Sequence, residues 1–137
     1  MFDLELIKIF DINEVSAKGG SIKKIINRLD NEYKGFGEIY ISSVEKGIIK
    51  AWKYHKEMTL NLIVISGAIK FVFFNGKEFR EIKTNSCSLK RIIVPPKVWY
   101  GFKGEYSSDS NILSLTNLIF KEEELERRNV EEISYDW

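Results

Sequence analysis

Short apolar runs, several of them with alternating polar positions, recur along the chain and are separated by glycine, asparagine, serine or proline. Runs of this length at this spacing predict an all-β protein, built as an antiparallel sandwich or barrel. The expected strands are Leu6–Phe10, Glu38–Val44, Gly47–Tyr54, Thr59–Ile65, Ala68–Phe74, Lys77–Ile82, Ser88–Val94 and Ile112–Phe120.

The breaks between these runs carry typical turn residues. Ser66-Gly67 and Asn75-Gly76 are hairpin signals, because glycine and asparagine tolerate the positive φ angles of tight turns. Pro95-Pro96 cannot continue a central strand, since proline lacks the N–H group that a strand ladder uses. We therefore expect Lys97–Phe102 to form a loop that carries Trp99 and Tyr100, either as plugs of the barrel end or as site residues.

Two segments have the pattern of short helices. From Ser21 to Leu29 the apolar side chains fall on one helical face and the basic or polar ones on the other, and Ser21 can cap the first turn. This N-terminal helix is expected on the outside of the barrel. Near the C-terminus, the charged run Glu122–Asn129 predicts a short helical segment. A chain of 137 residues has room for one good core, so we interpret residues 1–137 as a single domain.

The composition excludes several classes of protein. The 21 basic and 20 acidic residues nearly balance, which argues against nucleic acid or an anionic membrane as the main partner. The single cysteine, Cys87, cannot form an internal disulfide, and the N-terminus lacks the pattern of a secretion signal. No apolar run approaches the length of a membrane span. We therefore expect a cytoplasmic protein.

His55 is the only histidine of the chain and follows the strand Gly47–Tyr54. Histidine titrates near neutral pH and is the commonest proton-transfer group. Lys53 lies two residues earlier, and both side chains point to the same face of a regular strand. The alternatives are a hydrogen-bonded core histidine and a lysine that extends into solvent. The more specific hypothesis is that both residues belong to the functional site.

The same residues resemble the motifs of the cupin family, which implies a jelly-roll barrel. Gly47-x5-Lys53-x-His55-x3-Thr59 has the outline of the first cupin motif, and Pro95-x-Lys97-x-x-Tyr100 that of the second. In metal-binding cupins these positions are histidine, histidine, glutamate and histidine, whereas here they are Lys53, His55, Thr59 and Tyr100. A single imidazole does not hold zinc or iron against water. We expect no metal and no other cofactor.

Within the cupins, the chain resembles the dTDP-4-dehydrorhamnose 3,5-epimerase family and its relatives from about Gly37 onward. The resemblance rests on Gly47–Trp52, on the run Ile93–Phe102 and on the closing Tyr135-Asp136-Trp137. The catalytic histidine of that family falls on Lys53 here, and its proton-donating tyrosine, in the strand around Leu113, has no counterpart. His55 resembles the second histidine of the sugar 3,4-ketoisomerase cupins.

The resemblance implies a metal-independent epimerase or isomerase that deprotonates a nucleotide-linked 4-keto-6-deoxy sugar next to its carbonyl group. The alternative is a catalytically silent cupin that binds a nucleotide sugar. A metal cupin with substituted ligands is a third possibility. The expected partner is a nucleotide sugar, and the chain is expected to pair as a homodimer through Glu38–Val44 or an N-terminal strand.

Candidate residues follow from this chemistry. Either His55 or Lys53 could be the base, with the other or Tyr100 supporting the enolate. Basic side chains could hold the diphosphate, and aromatic rings could stack on the nucleobase or the sugar. An amide side chain in an apolar strand needs a polar partner, which a substrate hydroxyl group could provide. The substrate-binding candidates are Lys50, Trp52, Asn61, Arg91 and Trp99.

Overall fold

Twelve β-strands make up most of the structure, a computed structural model that describes residues 1–137. The strands are β1 Lys8–Asp11, β2 Glu14–Ala17, β3 Gly20–Lys23, β4 Glu38–Val44, β5 Ile49–His55, β6 Leu60–Ser66, β7 Ala68–Phe74, β8 Phe79–Asn85, β9 Lys90–Val94, β10 Trp99–Gly104, β11 Ser110–Thr116 and β12 Leu125–Arg127. Three single 3₁₀ turns complete the regular structure, at Leu4–Leu6, Glu122–Glu124 and Val130–Glu132.

These strands form two antiparallel five-stranded sheets and one separate hairpin. The first sheet has the order β1-β9-β6-β11-β4, and the second has the order β12-β5-β10-β7-β8. The hairpin pairs β2 with β3. The predicted all-β antiparallel architecture is therefore confirmed. None of the helical segments has the length and apolar character needed to cross a lipid bilayer.

The main core lies between the two large sheets. Alternate residues of β6, such as Leu60 and Leu62, meet alternate residues of β7, such as Phe71 and Phe73, and all four are buried. Alternate side chains of a strand point to the same face, so these residues come together between the sheets. Burial of this apolar surface is the main stabilising contribution to the fold.

A second, smaller core covers the outer face of the second sheet. Trp52, Val72 and Trp99 are buried there under the C-terminal segment, which contributes Ile133 and Trp137. Arg128 lies over the Trp99 ring, with its guanidinium carbon 4.5 Å from the ring centroid. The segment that follows β11 is therefore held on the sheet by aromatic packing.

The helix expected from Ser21 to Leu29 does not form. Gly19 has a φ of 79°, which suits the tight turn between β2 and β3, so Gly20–Lys23 is extended instead. Further along, the Asn27 side chain accepts a hydrogen bond from the Leu29 N–H group at 2.8 Å. Such side-chain hydrogen bonds compete with the helical ladder. The expected C-terminal helical segment is two 3₁₀ turns on either side of β12.

Two turn predictions also differ from the structure. Asn75-Gly76 does join a hairpin, β7 to β8, with Gly76 at a φ of 100°. The Ser66-Gly67 pair instead carries the chain from the first sheet to the second, because β6 and β7 do not pair. Lys97–Phe102 is not a loop: Lys97 adopts a φ of 74°, and a central strand, β10, begins at Trp99.

Candidate active site

A cavity of about 310 Å³ lies between the two large sheets, where β4 and β11 face β5, β10 and β12. A smaller space of about 60 Å³ adjoins it among core residues and shares Tyr40, Lys53 and Tyr100 with it. The cavity is of a size to accept a sugar ring. Its lining residues are Glu38, Tyr40, Lys53, His55, Met58, Tyr100, Thr116, Phe120, Leu125 and Arg127.

His55 is the last residue of β5 and faces this cavity, with 7% of its surface exposed. Its Nδ1 atom is hydrogen-bonded to a carboxylate oxygen of Glu124. Its Nε2 atom lies 3.2 Å from the Tyr100 hydroxyl oxygen. Both ring nitrogens have a partner, so the orientation of the imidazole is fixed.

Glu124 ends the 3₁₀ turn just before β12 and is buried. Its second oxygen accepts hydrogen bonds from the backbone N–H groups of Glu57, at 3.1 Å, and Met58, at 3.2 Å. Burial raises the pKa of the Glu124 carboxyl, but the hydrogen bonds from His55 and from the backbone lower it more, so the net shift is downward. The ionised carboxylate holds the proton of a neutral imidazole on Nδ1 and leaves Nε2 free to accept one.

Two tyrosine hydroxyl groups face the same cavity. Burial raises the pKa of Tyr100 far above its ordinary value, and nearby Tyr40 and Glu124 add to this effect. Burial also raises the pKa of Tyr40, and the carboxylate of Glu38 acts in the same direction. Both phenols therefore stay protonated at neutral pH and act as hydrogen-bond donors.

Lys53 stands in a row across the second sheet, directly opposite Tyr100 on β10 and Arg127 on β12. Although much of its side chain contacts solvent, partial burial of the ammonium group lowers its pKa, and the positive charges of Arg127 and Lys50 lower it further. A cation-lined groove of about 480 Å³ adjoins the cavity and shares Lys53 and Arg127 with it. The mouth of the cavity is thus suited to an anionic ligand.

Comparison with known proteins assigns the family. Residues 5–134 match the family described as FdtA: WxcM-like, C-terminal. The chain belongs to this family. No curated protein matches the sequence.

Solved structures agree with this assignment. A dTDP sugar isomerase from Desulfovibrio desulfuricans G20 is 25% identical, with a TM-score of 0.87 over 96% of this chain and 90% of that one. The sugar 3,4-ketoisomerase QdtA from Thermoanaerobacterium thermosaccharolyticum, solved in complex with TDP, is 21% identical, with a TM-score of 0.79 over 95% and 93% of the two chains. The cupin jelly roll predicted from the motifs is confirmed.

A more distant relative shares the same fold. The dTDP-6-deoxy-D-glucose-3,5-epimerase RmlC from Legionella pneumophila Philadelphia 1, solved with dTDP-4-keto-L-rhamnose, is 13% identical, with a TM-score of 0.82 over 99% of this chain and 80% of that one. Nucleotide-sugar isomerases and epimerases are thus built on the fold of this chain.

The structure brings the three candidate catalytic residues together. Lys53, His55 and Tyr100 all line the cavity. Lys50 lies in the adjoining groove, where its Nζ donates a hydrogen bond to the Ser43 carbonyl at 3.1 Å. No group of three or more His, Cys, Asp or Glu side chains is placed to hold a metal ion.

The other four candidates lie outside the cavity. Trp52 and Trp99 are part of the second core on the outer face of their sheet. Asn61 and Arg91 are buried together on neighbouring strands of the first sheet, where an Arg91 N–H group donates to the Asn61 side-chain oxygen at 2.8 Å. Arg91 also pairs with Asp30, at 3.7 Å. These polar groups satisfy each other rather than facing the cavity.

Sequence reasoning missed several residues of the site. Glu124 was hidden in the run Glu122-Glu123-Glu124, which has the composition of a solvated surface. Arg127 follows in the same charged segment, and Tyr40 lies in a strand with no other signal of function. Nothing in the sequence distinguishes Glu124, which is buried, from the exposed Glu122 and Glu123 beside it.

Proposed function

We propose that the protein is a metal-independent epimerase or isomerase of a nucleotide-linked 4-keto-6-deoxy sugar. The observation that carries this proposal is the Glu124–His55 pair, which holds the imidazole with its Nε2 atom facing a cavity that also contains two tyrosine hydroxyl groups. A base, an anion that supports its charged form and neutral proton donors are the groups that enolisation needs.

In the proposed reaction, the substrate ring replaces Tyr100 as the partner of His55 Nε2. His55 takes the proton from the carbon next to the ketone, and the Glu124 carboxylate stabilises the resulting imidazolium. The hydroxyl groups of Tyr100 and Tyr40 donate hydrogen bonds to the oxygen that becomes negative. Return of a proton to the same carbon from the other side gives an epimer. If the proton goes instead to the former carbonyl carbon, the hydroxyl group on the deprotonated carbon loses its proton to become the new carbonyl, the former carbonyl oxygen becomes a hydroxyl group, and the product is a ketoisomer.

The donor set is also consistent with a mechanism that needs no metal. His55 and Glu124 bind each other, and the remaining cupin ligand positions carry Lys53, Thr59 and Tyr100. An ammonium group and hydroxyl groups are weak ligands for zinc or iron. The cationic groove at the mouth, with Lys50 and Arg127, suits the diphosphate of the nucleotide.

Proton exchange tests the proposal. The protein is incubated with a nucleotide 4-keto-6-deoxy sugar in heavy water, and the ring protons are followed by NMR. We expect exchange next to the ketone, slowed by about 10²- to 10⁴-fold in His55→Asn. The control Lys83→Met, at an exposed position of β8, keeps the wild-type rate.

Binding without exchange at any ring position would contradict the enzyme and favour the second candidate function, a nucleotide-sugar-binding cupin without activity. The observation that favours this alternative is Lys53 in place of a histidine.

We also propose that the protein is cytoplasmic. The only cysteine of the chain, Cys87, is free and exposed, which is in keeping with a reducing compartment.

We also propose a homodimer. The β2–β3 hairpin is exposed along its whole length, and a lone two-stranded hairpin is marginal in water. The edge strand β4 exposes Ile39 and Ile41. If the hairpin of one copy packs on β4 of a second copy, both of these exposed surfaces are removed from solvent.

Light scattering after size exclusion tests the dimer. We expect a dimer for wild type and a monomer for Ile41→Lys, because a charge in the proposed contact costs more than it does in solvent. The matched control Val130→Lys, which also replaces a partly exposed apolar residue, stays dimeric. A monomeric wild type would overturn this assembly.

A further inference from the structure

We propose that Glu38 binds the C2 hydroxyl group of the sugar and so selects substrates that carry this group. The inference deepens the proposed function and rests on it, because it names the sugar that the cavity accepts. That sugar is a nucleotide-linked 4-keto-6-deoxy hexose with a free hydroxyl group at C2. Glu38 is a substrate-binding residue here and takes no part in proton transfer.

Glu38 is the one acidic residue among those that line the cavity. It is the first residue of β4 and belongs to the first sheet, whereas the cationic Lys53 and Arg127 line the cavity from the second sheet. Tyr40 follows two residues later on β4 and lines the same cavity, as strand alternation requires. The cavity thus has a negative charge on one wall and positive charges on the other.

The surrounding backbone holds the Glu38 carboxylate in place. The Gly37 N–H group donates to the Thr116 carbonyl at 2.7 Å, and the chain passes so close to Leu118 that a Cβ atom at residue 37 would clash with its backbone. One carboxylate oxygen of Glu38 accepts a hydrogen bond from the Phe120 N–H group at 3.0 Å. A group that is oriented before its ligand arrives binds at a lower entropy cost.

The second carboxylate oxygen of Glu38 is free to accept a hydrogen bond from a ligand. Although two cations line the same cavity, Glu38 forms no ion pair, and the Phe120 N–H group is the one donor that contacts its side chain. An ionised carboxylate only accepts hydrogen bonds, so a ligand that binds to it must donate one. A sugar hydroxyl group is such a donor, and its hydrogen bond to a charged acceptor is stronger than one to a neutral acceptor.

The charges on the two walls determine how a nucleotide sugar lies in the site. The diphosphate is repelled by Glu38 and attracted to the adjoining groove, which is lined by Lys50, Lys53 and Arg127 and does not include Glu38. The diphosphate therefore occupies the mouth, and the neutral sugar ring is the part of the ligand that reaches Glu38.

The chemistry of the ring decides which hydroxyl group Glu38 binds. A 4-keto-6-deoxy hexose linked through C1 has hydroxyl groups at C2 and C3. Loss of the C3 proton places negative charge on the C4 oxygen, and ketoisomerisation also removes the proton of the C3 hydroxyl group. A carboxylate beside these two oxygens would raise the energy of the transition state, because like charges repel. The C2 hydroxyl group is the remaining donor, and it keeps its proton throughout the reaction.

Binding measurements test this assignment. Two nucleotide 4-keto-6-deoxy sugars that differ only at C2, one with a hydroxyl group and one with hydrogen, are titrated into the full chain by calorimetry. The His55→Asn background slows proton transfer, so the ligands are not consumed. We expect the hydroxyl sugar to bind about 10- to 100-fold more tightly, as for a hydrogen bond to a charged group.

Glu38→Gln in the same background should reduce this preference by at least about fivefold, by weakening the binding of the hydroxyl sugar alone. The amide oxygen can still accept from the Phe120 N–H group, which leaves an uncharged NH₂ group toward the cavity. The matched control Glu45→Gln removes the same charge at an exposed position directly after β4 and keeps the full preference.

Exchange in heavy water separates this binding role from catalysis. With His55 intact and the hydroxyl sugar saturating, Glu38→Gln should exchange ring protons at the wild-type rate, because loss of uniform binding raises KM and leaves kcat unchanged. Loss of exchange under these conditions would place Glu38 in the proton transfer and overturn a role in binding alone.

The outcomes distinguish this inference from the proposed function. Equal affinity for the two sugars, or a preference that Glu38→Gln leaves unchanged, would overturn the inference, and proton exchange by wild type would still support the enzyme. A preference that depends on Glu38 in a protein that exchanges no ring proton would support the binding role and contradict the enzyme. If neither sugar binds, both fail.

Discussion

The two faces of β5 carry different kinds of side chain and contact different parts of the molecule. Lys53 and His55 face the cavity, whereas Trp52 lies on the opposite face under the C-terminal segment. The Trp52 ring is 5.3 Å from that of Trp137, and its Nε1–H group donates to the Val130 carbonyl at 3.3 Å. The outer face thus holds the segment that carries Glu124 to the inner face.

This comparison shows how one strand serves both stability and chemistry. The backbone of Trp52 exchanges two hydrogen bonds with Arg128, at 2.9 and 3.1 Å, and β12 adds three residues to the sheet edge. Glu124 precedes β12 directly, so its carboxylate is placed by that pairing. An outer-face substitution should therefore act on folding, and an inner-face one on proton transfer.

The largest expected effect is on catalysis, in Glu124→Gln. The variant keeps the shape of the side chain but loses the negative charge that supports an imidazolium at His55. We expect proton exchange next to the ketone to slow by about 10²- to 10⁴-fold, as for loss of a general acid–base group. NMR in heavy water measures this rate. A rate within a factor of three of wild type would exclude a role for the charge.

On the outer face, Trp52→Ala should lower the free energy of unfolding by about 3 to 5 kcal/mol, because it leaves a large cavity in the second core. Urea unfolding followed by circular dichroism measures this change. The inner-face comparison is Lys53→Met, which removes an unpaired cation and should change the same free energy by less than about 1 kcal/mol. Equal losses of unfolding free energy in the two variants would contradict the assignment of stability to the outer face and chemistry to the inner face.

A smaller effect is expected at Arg91, a buried charge that the cavity does not use. Arg91→Met leaves the Asn61 oxygen and the Asp30 carboxylate without their partner and should cost about 1 to 3 kcal/mol of unfolding free energy. The double variant Arg91→Met with Asn61→Leu should recover part of this loss of unfolding free energy, since it removes the buried Asn61 oxygen that has lost its hydrogen-bond donor. Proton exchange should stay at the wild-type rate, and its loss would place Arg91 in the site after all.

How far the sequence predicts the molecule depends on which signals are local. The Asn75-Gly76 hairpin follows from two adjacent residues, and the shared face of Lys53 and His55 follows from strand alternation. By contrast, Ser21–Leu29 has a helical pattern that the Gly19 turn and the Asn27 side chain override. The predicted helix was wrong because the periodicity of apolar residues does not include the competing local hydrogen bonds.

The candidate site was predictable only in part for a related reason. Asn61 and Arg91 lie in strands that are buried on both faces, so a polar residue among apolar ones does not show which face it occupies. Glu124 is 69 residues from His55, and only the pairing of β12 with β5 brings the two together. The base was visible in the sequence, but the partner that orients it was not.

The smallest expected effect is the dependence of stability on pH that Glu124 contributes. Its pKa is lowered in the folded protein, so the unfolded chain binds the proton more readily. The stabilisation is complete above the ordinary pKa of about 4.5 and is lost as the pH falls through the folded value. The unfolding free energy of wild type should therefore decrease more steeply below that pH than that of Glu124→Gln, by at most about 1.4 kcal/mol per pH unit. Equal slopes of unfolding free energy against pH in the two proteins below that pH would show that His55 and the backbone N–H groups do not stabilise the ionised carboxylate. The orientation of the imidazole would then need another cause.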